Sequence, residues 1–149
     1  RFITSGGLGA MGYAIPAGIG AKLSAPEREV AVVCGDGSFQ MALPELATMM
    51  QEKVPVKMIV MKNRCLGMIR EIQDKKYAGN RFAVELGDLP NLEKLAEAYG
   101  IEYMSIRKNE ETDAVVDAVL KADHPVLVEC TVPHDAPTLY LGGEGREHG

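Results

Sequence analysis

Asp36 and Asn63 are the two side chains in this sequence best suited to act together. Asp36 lies in Gly35-Asp36-Gly37-Ser38, directly after an apolar run at 30–34. Asn63 opens Asn63-Arg64-Cys65-Leu66-Gly67-Met68, into which a second, largely apolar run at 56–61 leads, with Lys62 between. A carboxylate and a side-chain amide oxygen are hard donors of the kind magnesium takes, and glycine-rich backbone presents N–H groups to phosphate. The combination suits a magnesium ion carrying a diphosphate.

The two motifs need a scaffold that brings them together. Residues 43–51 between them read as a helix, with Leu43, Leu46, Ala47 and Met50 on one face and Pro44 near its start. Strand, turn, helix, strand and turn make a βαβ unit, whose strands are parallel. Both motifs then fall at carboxyl ends of strands on one sheet edge, where open α/β sheets bind ligands.

The rest of the chain keeps the alternation. Residues 2–4 are a short strand candidate, followed by a loop with four glycines at 6–12 and a helix at 13–23. The uninterrupted apolar run 30–34 predicts a strand buried on both faces. Residues 67–73 read as a helix, with Asp74, Lys75 and Lys76 as a solvated end, and 77–90 as loop. Asn91 predicts an N-cap for a helix at 92–99 that Gly100 ends. A strand at 102–106 and a helix from Asn109 or Thr112, with Val115, Val116, Val119 and Leu120 apolar, come next. A last strand follows at 125–132. The fold class is α/β, a three-layer, doubly wound, mainly parallel sheet with helices on both faces. Residues 1–141 form one domain and 142–149, rich in Gly and charge, a flexible tail.

Composition narrows the partners. A net charge of -5 at pH 7 argues against nucleic acid or an anionic membrane as ligand. No apolar run reaches transmembrane length, and no signal-peptide pattern is seen. Cys34, Cys65 and Cys130 match neither a zinc spacing nor a disulfide framework, which fits a cytoplasmic chain, and Cys34 and Cys130 read as core residues. The chain begins at Arg1 and reads as a piece of a longer polypeptide.

A second reading competes. Gly7-x-Gly9-x-x-Gly12 matches the dinucleotide fingerprint, follows a strand candidate and opens a helix, and Asp36 lies 24 positions after Gly12. A Rossmann-type dinucleotide-binding module is therefore the alternative of a different class. The flanking glycines of Asp36 and the presence of Asn63 have no part in that scheme. Plainer readings also exist: Gly-Asp-Gly as a tight turn, Asn63 as a cap or turn former, Met11 as a core filler.

Gly35-Asp36-Gly37 with Asn63 27 positions after the Asp resembles the motif of thiamine diphosphate-dependent enzymes. Residues 4–12 (Thr-Ser-Gly-Gly-Leu-Gly-Ala-Met-Gly), 35–41 and 45–48, together with Leu66-Gly67-Met68, look most like acetolactate synthase, also called acetohydroxyacid synthase. The likeness runs from about Phe2 to Val132. It implies magnesium held by Asp36, the Asn63 side chain and the backbone carbonyl of Cys65. It implies diphosphate held by backbone around Gly37, Ser38 and Gly67, with Gly35, Leu66 and Met68 also among the cofactor-binding residues. The Gly9 carbonyl would accept from the aminopyrimidine, and Met11 would be the wedge under the bent cofactor. The implied reaction is decarboxylation of pyruvate and ligation to a second 2-oxo acid.

The resemblance places no catalytic residue on this chain. The activating glutamate belongs to a pyrimidine-binding domain of a second chain, which makes the full-length protein a homo-oligomer, dimer or tetramer, with a regulatory subunit as a further partner. FAD in full-length members sits on a middle domain, not on this one. His124, His134 and His148 fall in no matched motif. Two departures stand out. Lys62 replaces the first of two asparagines, and no Trp is present where biosynthetic members often carry one near Arg70–Gln73, here with Ile72. Another thiamine diphosphate-dependent 2-oxo acid decarboxylase or carboligase is thus the nearer alternative.

Overall fold

A computed structural model describes residues 1–88 and 90–137. The proposed tail at 142–149, and the domain limit at 141, lie outside them. Four strands form one wholly parallel sheet: β1 (Ala31–Gly35), β2 (Lys57–Lys62), β3 (Glu102–Ile106) and β4 (Val126–Thr131), in the order β1-β2-β4-β3. Gly35 is level with Met61, so β1 and β2 finish side by side.

Helices lie on both faces, as the alternation of the sequence requires. On one face α1 (Ala14–Ser24), α3 (Pro44–Gln51) and α5 (Leu92–Tyr99) cover a core that includes Ile15, Phe39, Leu46, Met49, Met58, Val60 and Leu127. On the other, α6 (Thr112–Lys121) lays Val119 against Val126 and Val128, with Ile59 and Met104 beside them. Lys57, 2 % exposed, runs under the end of α6 and donates to the carbonyls of Ala122 and His124. That cation satisfies carbonyls that a helix end leaves without partners.

Local signals set the boundaries. Asn91 caps α5 by accepting from the Lys94 N–H at 2.9 Å, and Gly100 ends it at φ 70°. Pro44 occupies the first turn of α3, where no N–H is needed. Gly18 lets α1 lie directly on β1: a Cβ there would come within 2.3 Å of Val32 Cγ2.

Several expectations change. Residues 2–4 form no strand, and Phe2 is 91 % exposed. So short a run gains its ladder only beside a strand, and none of the four adopts it as a neighbour. The turn expected at Gly35–Ser38 is helical instead; Asp36 opens a five-residue helix, α2 (Asp36–Gln40). The run at 30–34 is buried on one face only, since Val32 and Cys34 point into the core while Val33 is 62 % exposed. The α6 layer covers β3 and β4 and stops short of edge strand β1. Helix α3 buries Leu46 and Met49 rather than Ala47, with Leu43 and Met50 partly buried beside them where α1 and α5 pack on it. Of the apolar residues of α6, Val119 is buried but Val116 and Leu120 are exposed. Helix α4 (Gly67–Lys76) absorbs Asp74, Lys75 and Lys76, which suits lysines at a helix C-terminus. Cys130 is half-buried, whereas Cys65 is fully buried.

Candidate functional site

The ends of β1 and β2 are joined through Asp36. Its carboxylate accepts from the Gly37 N–H at 2.9 Å and from the Arg64 N–H at 2.7 Å, the second bond reaching across to the loop after β2. Asp36 is only 6 % exposed. Burial raises its pKa above the ordinary value, while the N–H groups of Arg64 and Gly37 and the charge of Lys62 work against that rise. A buried carboxylate held mainly by backbone donors is short of a full positive charge, and a divalent cation supplies one.

Asn63 turns its own loop. Its Oδ1 accepts from the Cys65 N–H at 3.1 Å, a local side-chain-to-backbone turn. The plainer reading of Asn63 as a turn former therefore holds, yet an amide oxygen has a second lone pair left for a metal. Arg64, at φ 63°, takes the left-handed bend. Leu66 N–H then donates to the Val84 carbonyl and Leu86 N–H to the Arg64 carbonyl, both at 2.8 Å. These two bonds place Cys65 opposite Glu85 in an isolated antiparallel bridge. In such a pair the N–H and C=O of Cys65 both point away from the 84–86 segment, to the side where Asn63 lies.

Helix α4 starts at Gly67, immediately after this loop. It has neither a side-chain cap nor an acid in its first turn. Its first N–H groups and positive dipole end are thus open to an anion. Gly67 is buried and Met68 is 45 % exposed at this start.

The glycine loop closes over the same place. Gly12 N–H donates to Ser38 Oγ at 2.9 Å, and Gly12 takes φ 79° with Met41 beneath it. Gly9 takes φ 61°, and its N–H folds back to the Ser5 carbonyl at 2.8 Å. A Cβ on Gly37 would meet Leu66 Cδ2 at 2.6 Å, with Leu86 Cδ1 and Met11 Cε each at 3.2 Å. Met11, Gly37 and Leu66 are thus in one place, with Met11 40 % exposed beside it. Gly35 is the exposed residue from which α2 starts. The fold gathers the glycine loop, the Asp36 turn and the Asn63 loop at one sheet edge.

The dinucleotide alternative loses its context here. Its fingerprint needs a strand before the first glycine, and residues 1–5 contain none.

Sequence reasoning did not foresee the contacts of Lys62, Glu129, Tyr103 and Arg70 near the site. Lys62, level with Thr131 of β4, pairs with Glu129 at 3.3 Å, and Glu129 accepts from Tyr103 at 3.2 Å. Alternation along β2 and β4 was the available signal, since Lys62 and Glu129 stand out as charges in apolar strands. Arg70, 3 % exposed, donates to the carbonyls of His134 and Ala136. Nothing in its local sequence marks it.

The family described as "Thiamine pyrophosphate enzyme, C-terminal TPP binding domain" matches residues 1–130. The chain is 40 % identical over 150 residues to the acetolactate synthase large subunit of Porphyra purpurea, covering 99 % of this chain and 25 % of that protein. It is 40 % identical to the mitochondrial acetolactate synthase catalytic subunit of Saccharomyces cerevisiae, covering 98 % of this chain and 21 % of the relative. Among solved structures, a thiamine diphosphate-dependent 4-hydroxybenzoylformate decarboxylase of Rhodococcus jostii superposes with a TM-score of 0.78 at 29 % identity. That match covers 85 % of this chain and 24 % of that one. The chain spans about a quarter of the length of these relatives.

Proposed function

The chain belongs to the thiamine pyrophosphate enzyme family as a C-terminal cofactor-binding domain, and we propose that it holds the diphosphate of thiamine diphosphate through magnesium in an acetolactate synthase-like enzyme. The observation that carries this reading is the bond from the Arg64 N–H to the Asp36 carboxylate, which couples the two strand-end motifs.

The residues present fit the group. Asp36, the Asn63 side chain and the Cys65 carbonyl are three hard oxygen donors, the kind magnesium takes alongside phosphate oxygens and water. Gly37 leaves a hollow that a Cβ would fill, and the uncapped start of α4 at Gly67 and Met68 offers N–H groups to phosphate. Backbone at Gly35, Ser38 and Leu66 completes the rim. The Gly9 carbonyl would accept from the aminopyrimidine, and Met11 would support the bound cofactor. When bound, thiamine diphosphate supplies the carbanion chemistry that decarboxylates a 2-oxo acid and passes on the remaining fragment.

The whole enzyme would act on pyruvate and a second 2-oxo acid. The acid that activates the pyrimidine would come from a pyrimidine-binding domain of a second chain, in a homo-oligomer. Asp36 is the one carboxylate buried among the described residues, and it is committed to the metal. The likeness to a decarboxylase, with Lys62 in place of asparagine, favours a second reading: a thiamine diphosphate-dependent decarboxylase without acceptor ligation.

Thermal unfolding with ligands tests the proposal. Thiamine diphosphate with magnesium raises the midpoint, whereas thiamine or NAD with magnesium leaves it unchanged. A shift with NAD and none with thiamine diphosphate would reverse the assignment. In the full-length enzyme, acetolactate formation from pyruvate separates the synthase from the plain decarboxylase.

A further inference from the structure

Three side chains from three separate segments meet beside the Asn63 loop. Cys65, Glu85 and His134 bring a thiol sulfur, a carboxylate oxygen and an imidazole nitrogen within 4.8 Å of one another. Cys65 and Glu85 oppose each other across the isolated bridge, in the pair type whose side chains lie closest. His134 Nε2 is 2.7 Å from Glu85 Oε2. The segment bearing His134 is itself held down, since the buried Arg70 guanidinium donates to the carbonyls of His134 and Ala136. The three ligand atoms are thus placed by a strand bridge and by a buried cation, not by chance meeting of mobile ends.

We propose that Cys65 Sγ, the Glu85 carboxylate and His134 Nε2 form a zinc site with its fourth position open to water. The donor set decides the metal. Thiolate with imidazole selects against magnesium and calcium and suits zinc, whose structural and catalytic sites use these ligands. Bonds of about 2.0–2.3 Å in a tetrahedron set ligand atoms roughly 3.3–3.8 Å apart. Reaching that spacing asks Glu85 and His134 to part slightly and Cys65 to close in. Both Glu85 and His134 are exposed, so small shifts of their side chains leave the core untouched. On binding, the Cys65 thiol gives its proton to solvent, and thiolate plus carboxylate balance the charge of the ion.

This site is separate from the hard-oxygen set at Asp36. Cys65 would offer its sulfur to zinc and its carbonyl to the other side. An ion here ties the 63–66 loop to the 84–86 segment and to residue 134, and so stiffens the loop that carries Asn63. The inference does not depend on thiamine diphosphate binding.

Cobalt titration of the purified chain, in excess magnesium and without thiamine diphosphate, tests it. The result expected is one equivalent of cobalt with the intense visible bands of a four-coordinate ion and a thiolate-to-metal charge-transfer band, both displaced by zinc. His134→Ala and Glu85→Gln weaken binding by at least about tenfold, the loss that even outer groups around a metal produce. Cys65→Ser removes the charge-transfer band. Zinc raises the unfolding midpoint of the parent chain and not that of His134→Ala, an exposed position whose substitution leaves the core untouched. A weak six-coordinate spectrum would overturn the proposal. So would a charge-transfer band that survives Cys65→Ser, which would assign it to Cys34 or Cys130. Unchanged affinity in both His134→Ala and Glu85→Gln would do the same.

Discussion

Gly37 shows how much one missing carbon does here. Alanine would favour the α2 helix by up to about 1 kcal/mol. Its Cβ would also sit 2.6 Å from Leu66 Cδ2 and 3.2 Å from Met11 Cε, both at the free ends of flexible side chains. Those ends can swing away, so the fold absorbs the change, but they swing into the place proposed for the cofactor. Gly37→Ala should shift stability by less than about 1 kcal/mol and weaken thiamine diphosphate binding at least about tenfold, roughly 1.4 kcal/mol. Urea unfolding and calorimetric titration separate the two. Equal losses in both would mean that Gly37 serves packing alone. Tyr103 gives a pH signature. Burial first, then the charge and hydrogen bond of Glu129, push its pKa from 10.0 to about 12. The folded state thus keeps the phenol proton more tightly than the unfolded chain does. That contribution is complete below pH 10.0 and is lost as pH rises towards about 12. Tyr103→Phe should flatten the fall in stability over that window, read from denaturant midpoints at stepped pH. Asp36 and Asn63 were legible because each follows an apolar run and ends it with a residue no strand core would choose. The meeting of Cys65, Glu85 and His134 was not, because the bridge between Cys65 and Glu85 and the contact of His134 with Glu85 join loop segments without any periodic pattern.

At the level of elements, the sheet edge is built by the parallel pair β1 and β2, with α1 and α2 lying against it. The closest approach is Gly18 on Val32, where a Cβ would come within 2.3 Å of a γ-carbon. Val32 is β-branched and 5 % exposed, so it cannot turn aside as Leu66 can. Overpacking of about 1–3 kcal/mol should outweigh the helix gain of up to about 1 kcal/mol. Gly18→Ala therefore lowers the urea midpoint, and an unchanged or raised midpoint would show that α1 lifts freely from the sheet. The helix at 92–99 and the strand at 102–106 were read to the residue, since Asn91 and Gly100 carry specific capping chemistry. Residues 2–4 and the outer face of β1 were misread for a shared reason. Apolar sequence records what a segment is able to bury, while the neighbour that buries it lies elsewhere; Val33 and Phe2 have none among the described residues.

For the whole molecule, the apolar surface follows the site. Phe2, Leu8, Met11, Met41 and Met68 are all exposed along the glycine loop and the strand-end helices. Together with the lack of a second buried carboxylate among the described residues, this favours a domain that completes its chemistry against a partner. The chain with magnesium and thiamine diphosphate should release no carbon dioxide from pyruvate above the protein-free rate, and should self-associate as its concentration rises in sedimentation. Turnover near that of a complete enzyme would place the activating acid on this chain after all. The central claim is that two strand ends hold one metal–diphosphate unit. Calorimetric titration of thiamine diphosphate with and without magnesium, on the parent chain, Asp36→Ala, Asn63→Ala and the double variant, addresses it directly. Binding should depend on magnesium, fall at least about tenfold in each single variant, and be little worse in the double variant than in Asp36→Ala, because both groups serve one ion. Binding indifferent to magnesium, or losses that simply add, would contradict it.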